Sequence, residues 1–256
     1  MGLYQKRAAA CATALLLCLS IGHASAEPRP APKVEKPLEG PVKIEAIPTA
    51  KAQCMTTNSV RARGAWQTPK TSTSRSDLFV RKESGKVVLG LDVAEGNMIA
   101  TVMFPIGTDG GLASAPPIID SNNKELKAAL EQMAPTFMDS LGGGLLGTTF
   151  PQGKAIATNV DPCKPLGATL RPGGQMETTA VGYVTMQGRP GLLLEQVANA
   201  YCSTSEGVFD VRGGGWWVVD RASGLNMSSD SLFRLSSRGT VLAEIQSQVD
   251  CAIVSQ

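Results

Sequence analysis

Three residue patterns in this 256-residue chain could carry chemistry. Ser121-Asn122-Asn123-Lys124 matches S-x-x-K at the start of an amphipathic stretch, the arrangement in which a lysine activates a serine nucleophile. Arg212-Gly213-Gly214-Gly215 has the glycines with which a loop cradles phosphate. Glu195, Glu206, Asp210 and Asp220 could supply a carboxylate pair for glycoside hydrolysis. Each has a simpler account. The K-T-G partner of S-x-x-K is missing, Lys70-Thr71-Ser72 lies on the wrong side in sequence, and a helix cap explains Ser121 and its neighbours. A strand rather than a helix follows the glycines, so no helix N-terminus faces an anion and a glycine-rich β-turn is expected. No spacing singles out two of the four carboxylates, which read as solvated hairpin faces. The only histidine, His23, falls in a segment expected to be removed. Imidazole-activated nucleophiles, H-E-x-x-H zinc sites and histidine relays are then closed to the remainder. The expectation is a non-enzymatic protein without cofactor or metal, with a histidine-independent hydrolase as the enzyme alternative.

The N-terminus accounts for the loss of His23. Lys6 and Arg7 form a basic start, Ala8 to Ile21 an apolar core, and Ala24-Ser25-Ala26 an A-x-A cleavage site. That apolar core is shorter than the roughly 20 residues a membrane span needs. Leu15-Leu16-Leu17 before Cys18 lacks the small residues of a lipoprotein signal. Residues 1–26 are therefore read as a secretory signal, which sends a soluble chain to the periplasm or outside the cell with no later transmembrane segment. Removing Lys6 and Arg7 cancels the net charge of +2, so nothing electrostatic favours nucleic acid.

Two of six cysteines, Cys11 and Cys18, leave with the signal. Cys54, Cys163, Cys202 and Cys251 remain, an even number bound for an oxidising compartment, and two disulfides are expected. Sequence alone does not choose among the three connectivities. The spacings contain no C-x-x-C, which argues against a metal or redox site.

Residues 27–53 interleave Pro28, Pro30, Pro32, Pro37, Pro41 and Pro48 with Lys and Glu, and read as a disordered tether. Residues 54–256 are expected to form a single β-rich domain. Its first strands are Val60 to Trp66, Asp77 to Lys82, Lys86 to Val93 and Asn97 to Phe104. A helix is predicted over Asn123 to Leu141, capped by Asn122, kinked by Pro135, and striped with Leu126, Leu130, Met133, Phe137 and Leu141. Strands return at Thr178 to Met186, Leu192 to Tyr201, Gly207 to Val211, Gly215 to Asp220, Leu225 to Leu235 and Thr240 to Ile253, an antiparallel meander. Trp216 and Trp217 point to opposite faces, so one enters the core and the other looks outward or into a second apolar surface.

Gly215-Trp216-Trp217-Val218-Val219-Asp220-Arg221-Ala222-Ser223-Gly224-Leu225, followed by a long strand, resembles the C-terminal meander of exported half-barrel proteins, the periplasmic lipoprotein carriers and related lipid-binding lipoproteins. The resemblance covers Phe150 to Ile253. It implies a curved antiparallel half-barrel or open barrel that holds an apolar ligand, with the kinked amphipathic helix packed on it. Leu130, Met133, Phe137 and Trp217 would then line the ligand site, and the partner would be an apolar small molecule or another envelope protein. The alternative is a structural or interaction module whose sheet covers a solid core.

Overall fold

The computed structural model describes residues 28–46, 49–62, 69–95, 98–113, 115–128, 130–131, 145–158, 161–163, 166–205 and 207–254. Its strands are, in chain order, β1 (Lys36–Pro37), β2 (Val42–Lys43), β3 (Lys51–Ala62), β4 (Lys70–Glu83), β5 (Lys86–Glu95), β6 (Met98–Pro105) and β7 (Ile118–Ser121). There follow β8 (Thr149–Phe150), β9 (Ile156–Thr158), β10 (Thr169–Leu170), β11 (Gln175–Met186), β12 (Arg189–Thr204), β13 (Gly207–Asp220), β14 (Asn226–Ser237) and β15 (Thr240–Val254). Ser84-Gly85, Gln187-Gly188 and Arg238-Gly239 each have positive φ at both residues, the backbone of a two-residue hairpin turn whose twist matches the strands it joins.

The long strands form one antiparallel sheet in the order β1-β11-β12-β13-β14-β15-β3-β4-β5-β6-β7, with β9 on β11 and β10 on β12. Its end strands do not pair with each other, so among the described residues the sheet is open rather than a closed barrel. Two meanders, β3–β7 and β11–β15, meet where β15 lies against β3. The mainly β, antiparallel fold class is as expected.

Strand alternation separates two faces. The inner face carries Leu192, Leu194, Trp217, Val219, Cys54 and Cys251, on which Leu38, Ile44, Leu145, Leu146 and Phe150 pack. On the outer face, Val184, Leu193, Trp216, Val218 and Met227 form a second buried cluster. Both tryptophans are therefore buried, Trp216 in the second apolar surface that the alternation allowed.

Three expectations need correction. The first is the disordered tether: residues 28–46 lie on the sheet. Val34 packs on the outer cluster, β1 pairs with β11, and Leu38 and Ile44 are each only 4% exposed within the inner cluster. This segment thus wraps the β11 edge from one face to the other. Proline did not prevent it, because an edge strand can dispense with ladder donors, and Glu35 N–H still reaches the Tyr183 carbonyl at 2.9 Å. Gly182 makes room, since a Cβ there would overlap Val34 and crowd the Lys36 carbonyl. The second correction concerns Arg212-Gly213-Gly214-Gly215, which is no turn but the middle of β13. The strand runs so close to both neighbours that a Cβ at Gly214 would overlap the Gln196 carbonyl, and one at Gly215 the Asp230 carbonyl.

The third correction is the helix cap. Asn123, not Asn122, accepts the Leu126 N–H, through Oδ1 at 2.9 Å. Asn122 is still held by the sheet, accepting the Ile99 N–H at 3.0 Å, so the helix begins one residue later. Helix is present over residues 124–128 and 130–131. The remainder of the expected kinked helix, residues 132–141, lies outside the described residues, as do residues 1–27 with the signal.

Candidate functional site

The outer faces of β13, β14 and β15 assemble a polar site. Trp216 on β13 stands opposite Asp230 on β14, and Asp230 opposite Gln248 on β15; the next pair along is Ser228 and Asp250. Asp230 is 3% exposed. Its Oδ1 accepts from Gln246 Nε2 at 3.2 Å and its Oδ2 from Gln248 Nε2 at 2.6 Å, bonds that make a buried carboxylate tolerable and fix its direction.

Arg29 fills this site. Its backbone N–H donates to Asp230 Oδ2 at 2.8 Å, while its carbonyl accepts the Trp216 indole N–H at 3.0 Å. Its Nη1 donates to both oxygens of Asp250 at 2.8 Å, and Nη2 donates to the Ser229 carbonyl at 2.7 Å. The guanidinium also lies 5.4 Å from the Trp216 ring centre, within cation–π range. Sequence reasoning missed Arg29, Asp230 and Asp250 because their proximity is non-local. The one local signal was an arginine set between two prolines, Pro28 and Pro30.

A second ion pair, with its carboxylate buried, sits at the far end of the β12–β13 hairpin. Arg189 Nε and Nη2 donate to Asp220 Oδ1 and Oδ2 at 3.0 and 3.1 Å, and Ser223 Oγ donates to Oδ2 at 2.6 Å. Burial alone would push the Asp220 carboxyl up, but the hydrogen bonds from Arg189 and Ser223 outweigh it and hold the group below its ordinary value. Held by Arg189 and Ser223, this carboxylate locks a turn. A small cavity of about 130 Å³ lies beside it, lined in part by Ile44, Val219 and Asp220. Two open grooves lie elsewhere on the surface. One of about 840 Å³ runs between the hairpin ends at Val208, Phe209, Arg238 and Leu242. The other, of about 380 Å³, is lined by Met55, Arg75, Asp77, Gln187 and Asp250.

Of the residues expected to line a ligand site, Leu130 and Trp217 are described, and they stand in separate clusters. Leu130 is buried against Ala100, Val102, Phe104 and Ile119, apart from the cluster that holds Trp217. Met133 and Phe137 lie outside the described residues. Trp217 is buried with its indole N–H unpartnered, and Asn226 Oδ1 near the end of the same hairpin is likewise unpartnered. Ser121 Oγ donates to the Ile99 carbonyl and accepts the Asn123 N–H at 3.2 Å, a local turn just ahead of the Asn123 cap. The cysteines pair as Cys54–Cys251 and Cys163–Cys202. Among the described residues no helix is long and apolar enough to cross a membrane.

No protein-family model and no curated protein matches this chain. Among solved structures it is similar to the crystal structure of MucB in complex with MucA(peri), at 17% identity and a TM-score of 0.24. The match covers 80% of this chain and 52% of that one, so the chain spans about half the length of the MucB structure it matches.

Proposed function

We propose that this is an exported, non-enzymatic β-rich protein that works as a protein-interaction module of the cell envelope. One observation carries the reading. The sheet face that a carrier would leave open for its ligand is packed by the chain itself, with Leu38, Ile44, Leu145, Leu146 and Phe150 seated on Leu194, Trp217 and Val219. What is left for recognition is the outer face and the grooves. The two disulfides support export, since such bonds persist in oxidising compartments. Engagement of Ser121 in backbone hydrogen bonds and of Asp220 in an ion pair supports a non-enzymatic role.

Incubation of the natively folded protein with a fluorescent fatty acid, and mass spectrometry of lipids that co-purify with it, test the reading. No uptake and no stoichiometric lipid are expected. A second reading, an apolar-ligand carrier on a half-barrel, draws support from the unpartnered Trp217 indole N–H and Asn226 Oδ1, which suit the polar end of a bound lipid. Saturable uptake at one molecule per chain would establish that reading in place of the first.

A further inference from the structure

Arg29 is gripped as a peptide residue is gripped, through main chain and side chain together. The site supplies an acceptor for its N–H, a donor for its carbonyl, and a carboxylate plus a backbone carbonyl for the two ends of its guanidinium. A site for a free cation would need only the last of these. Gln246 and Gln248 hold Asp230 without any help from Arg29, so the acceptor is set in advance of its occupant.

The rest of this outer-face segment, residues 30–37 of a strap that begins at Pro28, is held along the β11 edge and not by a site of its own. β1 contributes the register pairs Lys36 with Tyr183 and Pro37 with Gly182, Glu35 N–H donates to the Tyr183 carbonyl, and the exposed Glu35 carboxylate accepts from Thr185 N–H and Oγ1 at 3.2 and 2.8 Å. Pro28, Pro30 and Pro32 keep the chain extended and offer no N–H. The side chains of Arg29 and Asp250 are 33% and 56% exposed, so solvent and competitors reach their ion pair. Asp250 also lines the groove of about 380 Å³, which continues the site past the guanidinium. Beneath the strap lies the apolar cluster of Trp216, Val218, Leu193, Val184 and Met227, against which Val34 packs. A strap that lifted would leave two carboxylates beside an apolar patch, and that surface needs another extended chain to cover it.

Resting on the interaction-module reading, we propose that this outer face is a binding site for an extended, proline-punctuated peptide that presents an arginine, and that residues 28–37 are its resident occupant, exchangeable for a partner's segment of the same chemistry. The partner's arginine takes the place of Arg29 between Asp230 and Asp250, and its following residues pair with the β11 edge at Gly182 and Tyr183.

The test uses the full chain with Arg29→Ala, which removes the resident guanidinium, and a fluorescein-labelled peptide of residues 27–38 followed by anisotropy. The variant should bind the peptide at least tenfold more tightly than the unaltered chain, whose own strap competes. A peptide with alanine in place of its arginine should bind at least tenfold more weakly, and Asp250→Asn added to Arg29→Ala should weaken the arginine peptide by a similar factor. An Arg29→Ala chain that melts cooperatively with both disulfides formed, yet binds the peptide no better than the unaltered chain or binds the alanine peptide equally well, overturns the proposal. Should Arg29→Ala not fold, Arg29→Lys, which keeps the charge and loses the fork, takes its place in the same comparison. A concentration-dependent dimer of the unaltered chain that vanishes in the variant would make a second copy the occupant and overturn the assignment to a partner. Fatty-acid uptake on the same preparation reports on the underlying reading alone: uptake ends that reading whether or not the peptide binds, and a failed peptide leaves a lipid-free module intact.

Discussion

Arg189 meets Asp220 through two parallel bonds, Nε to Oδ1 at 3.0 Å and Nη2 to Oδ2 at 3.1 Å, and no part of the Asp220 side chain is exposed. The pair closes the end of the β12–β13 hairpin, where Arg221 N–H also donates to the Pro190 carbonyl at 3.1 Å. Since the folded carboxyl sits below its ordinary value, the unfolded chain binds a proton there at a pH where the folded chain does not. The stabilisation is therefore complete above the unfolded carboxylate value of about 3.9 and is lost as pH falls through the lower folded value. Asp220→Asn should cost about 3 kcal/mol near neutrality, by leaving Arg189 opposite a neutral amide. The gap between the stability curves of wild type and variant should begin to narrow as pH falls below about 4; a constant gap down to about pH 2 would exclude this linkage.

The disulfides should contribute unequally. Cys54–Cys251 joins residues 197 apart and Cys163–Cys202 residues 39 apart. If each acts by restricting the unfolded chain, the longer loop is worth about 1.4 kcal/mol more, on top of the roughly 2–5 kcal/mol typical of such bonds. Denaturant unfolding of Cys54→Ser/Cys251→Ser beside Cys163→Ser/Cys202→Ser gives the order. Four reactive thiols in the denatured, unreduced protein would refute both bonds.

Gly214→Ala tests the correction to β13. A turn glycine on an open surface would tolerate alanine, whereas here the methyl meets the Gln196 carbonyl of the neighbouring strand. A loss of about 2–3 kcal/mol in thermal or denaturant unfolding is expected, against a few tenths for a solvated turn.

Ile44→Ala addresses the docking of the N-terminal segment to the inner face. Ile44 is 4% exposed among Leu38, Leu146 and Phe150, and its truncation should cost about 2–5 kcal/mol. A disordered segment would give no change. Limited proteolysis offers the parallel measurement: residues 38–46 should resist cleavage in the wild type and be cut faster in the variant.

What was legible in the sequence was local. The last strand, Thr240 to Ile253, and the strand end at Asp220 are written in neighbouring residues, and the structure places β15 over Thr240–Val254 and ends β13 at Asp220. Two disulfides were legible from number and compartment, but the choice of Cys251 for Cys54 depends on β15 meeting β3 across nearly the whole chain. The glycines of β13 misled because a weak strand former was judged by propensity, when the deciding fact was the proximity of Gln196 and Asp230. Proline and charge misled in residues 27–53 for a related reason. They report that a segment builds no core of its own, and say nothing about a core supplied by a sheet edge elsewhere. The site around Asp230 was invisible because its parts come from residue 29 and from three strands beyond residue 215.

The seam between the two meanders also sets an order of events in folding. Within β3–β7 and within β11–β15 each strand pairs with its sequence neighbour, so both halves close through short loops at small entropic cost. The pairing of β15 with β3 spans almost the entire chain and must wait until both halves exist. Cys54 and Cys251 face each other only across that seam, so their bond records that the two meanders have joined. In oxidative refolding quenched by alkylation, Cys163–Cys202 should appear first and Cys54–Cys251 last, at the same moment as the native tryptophan fluorescence of Trp217.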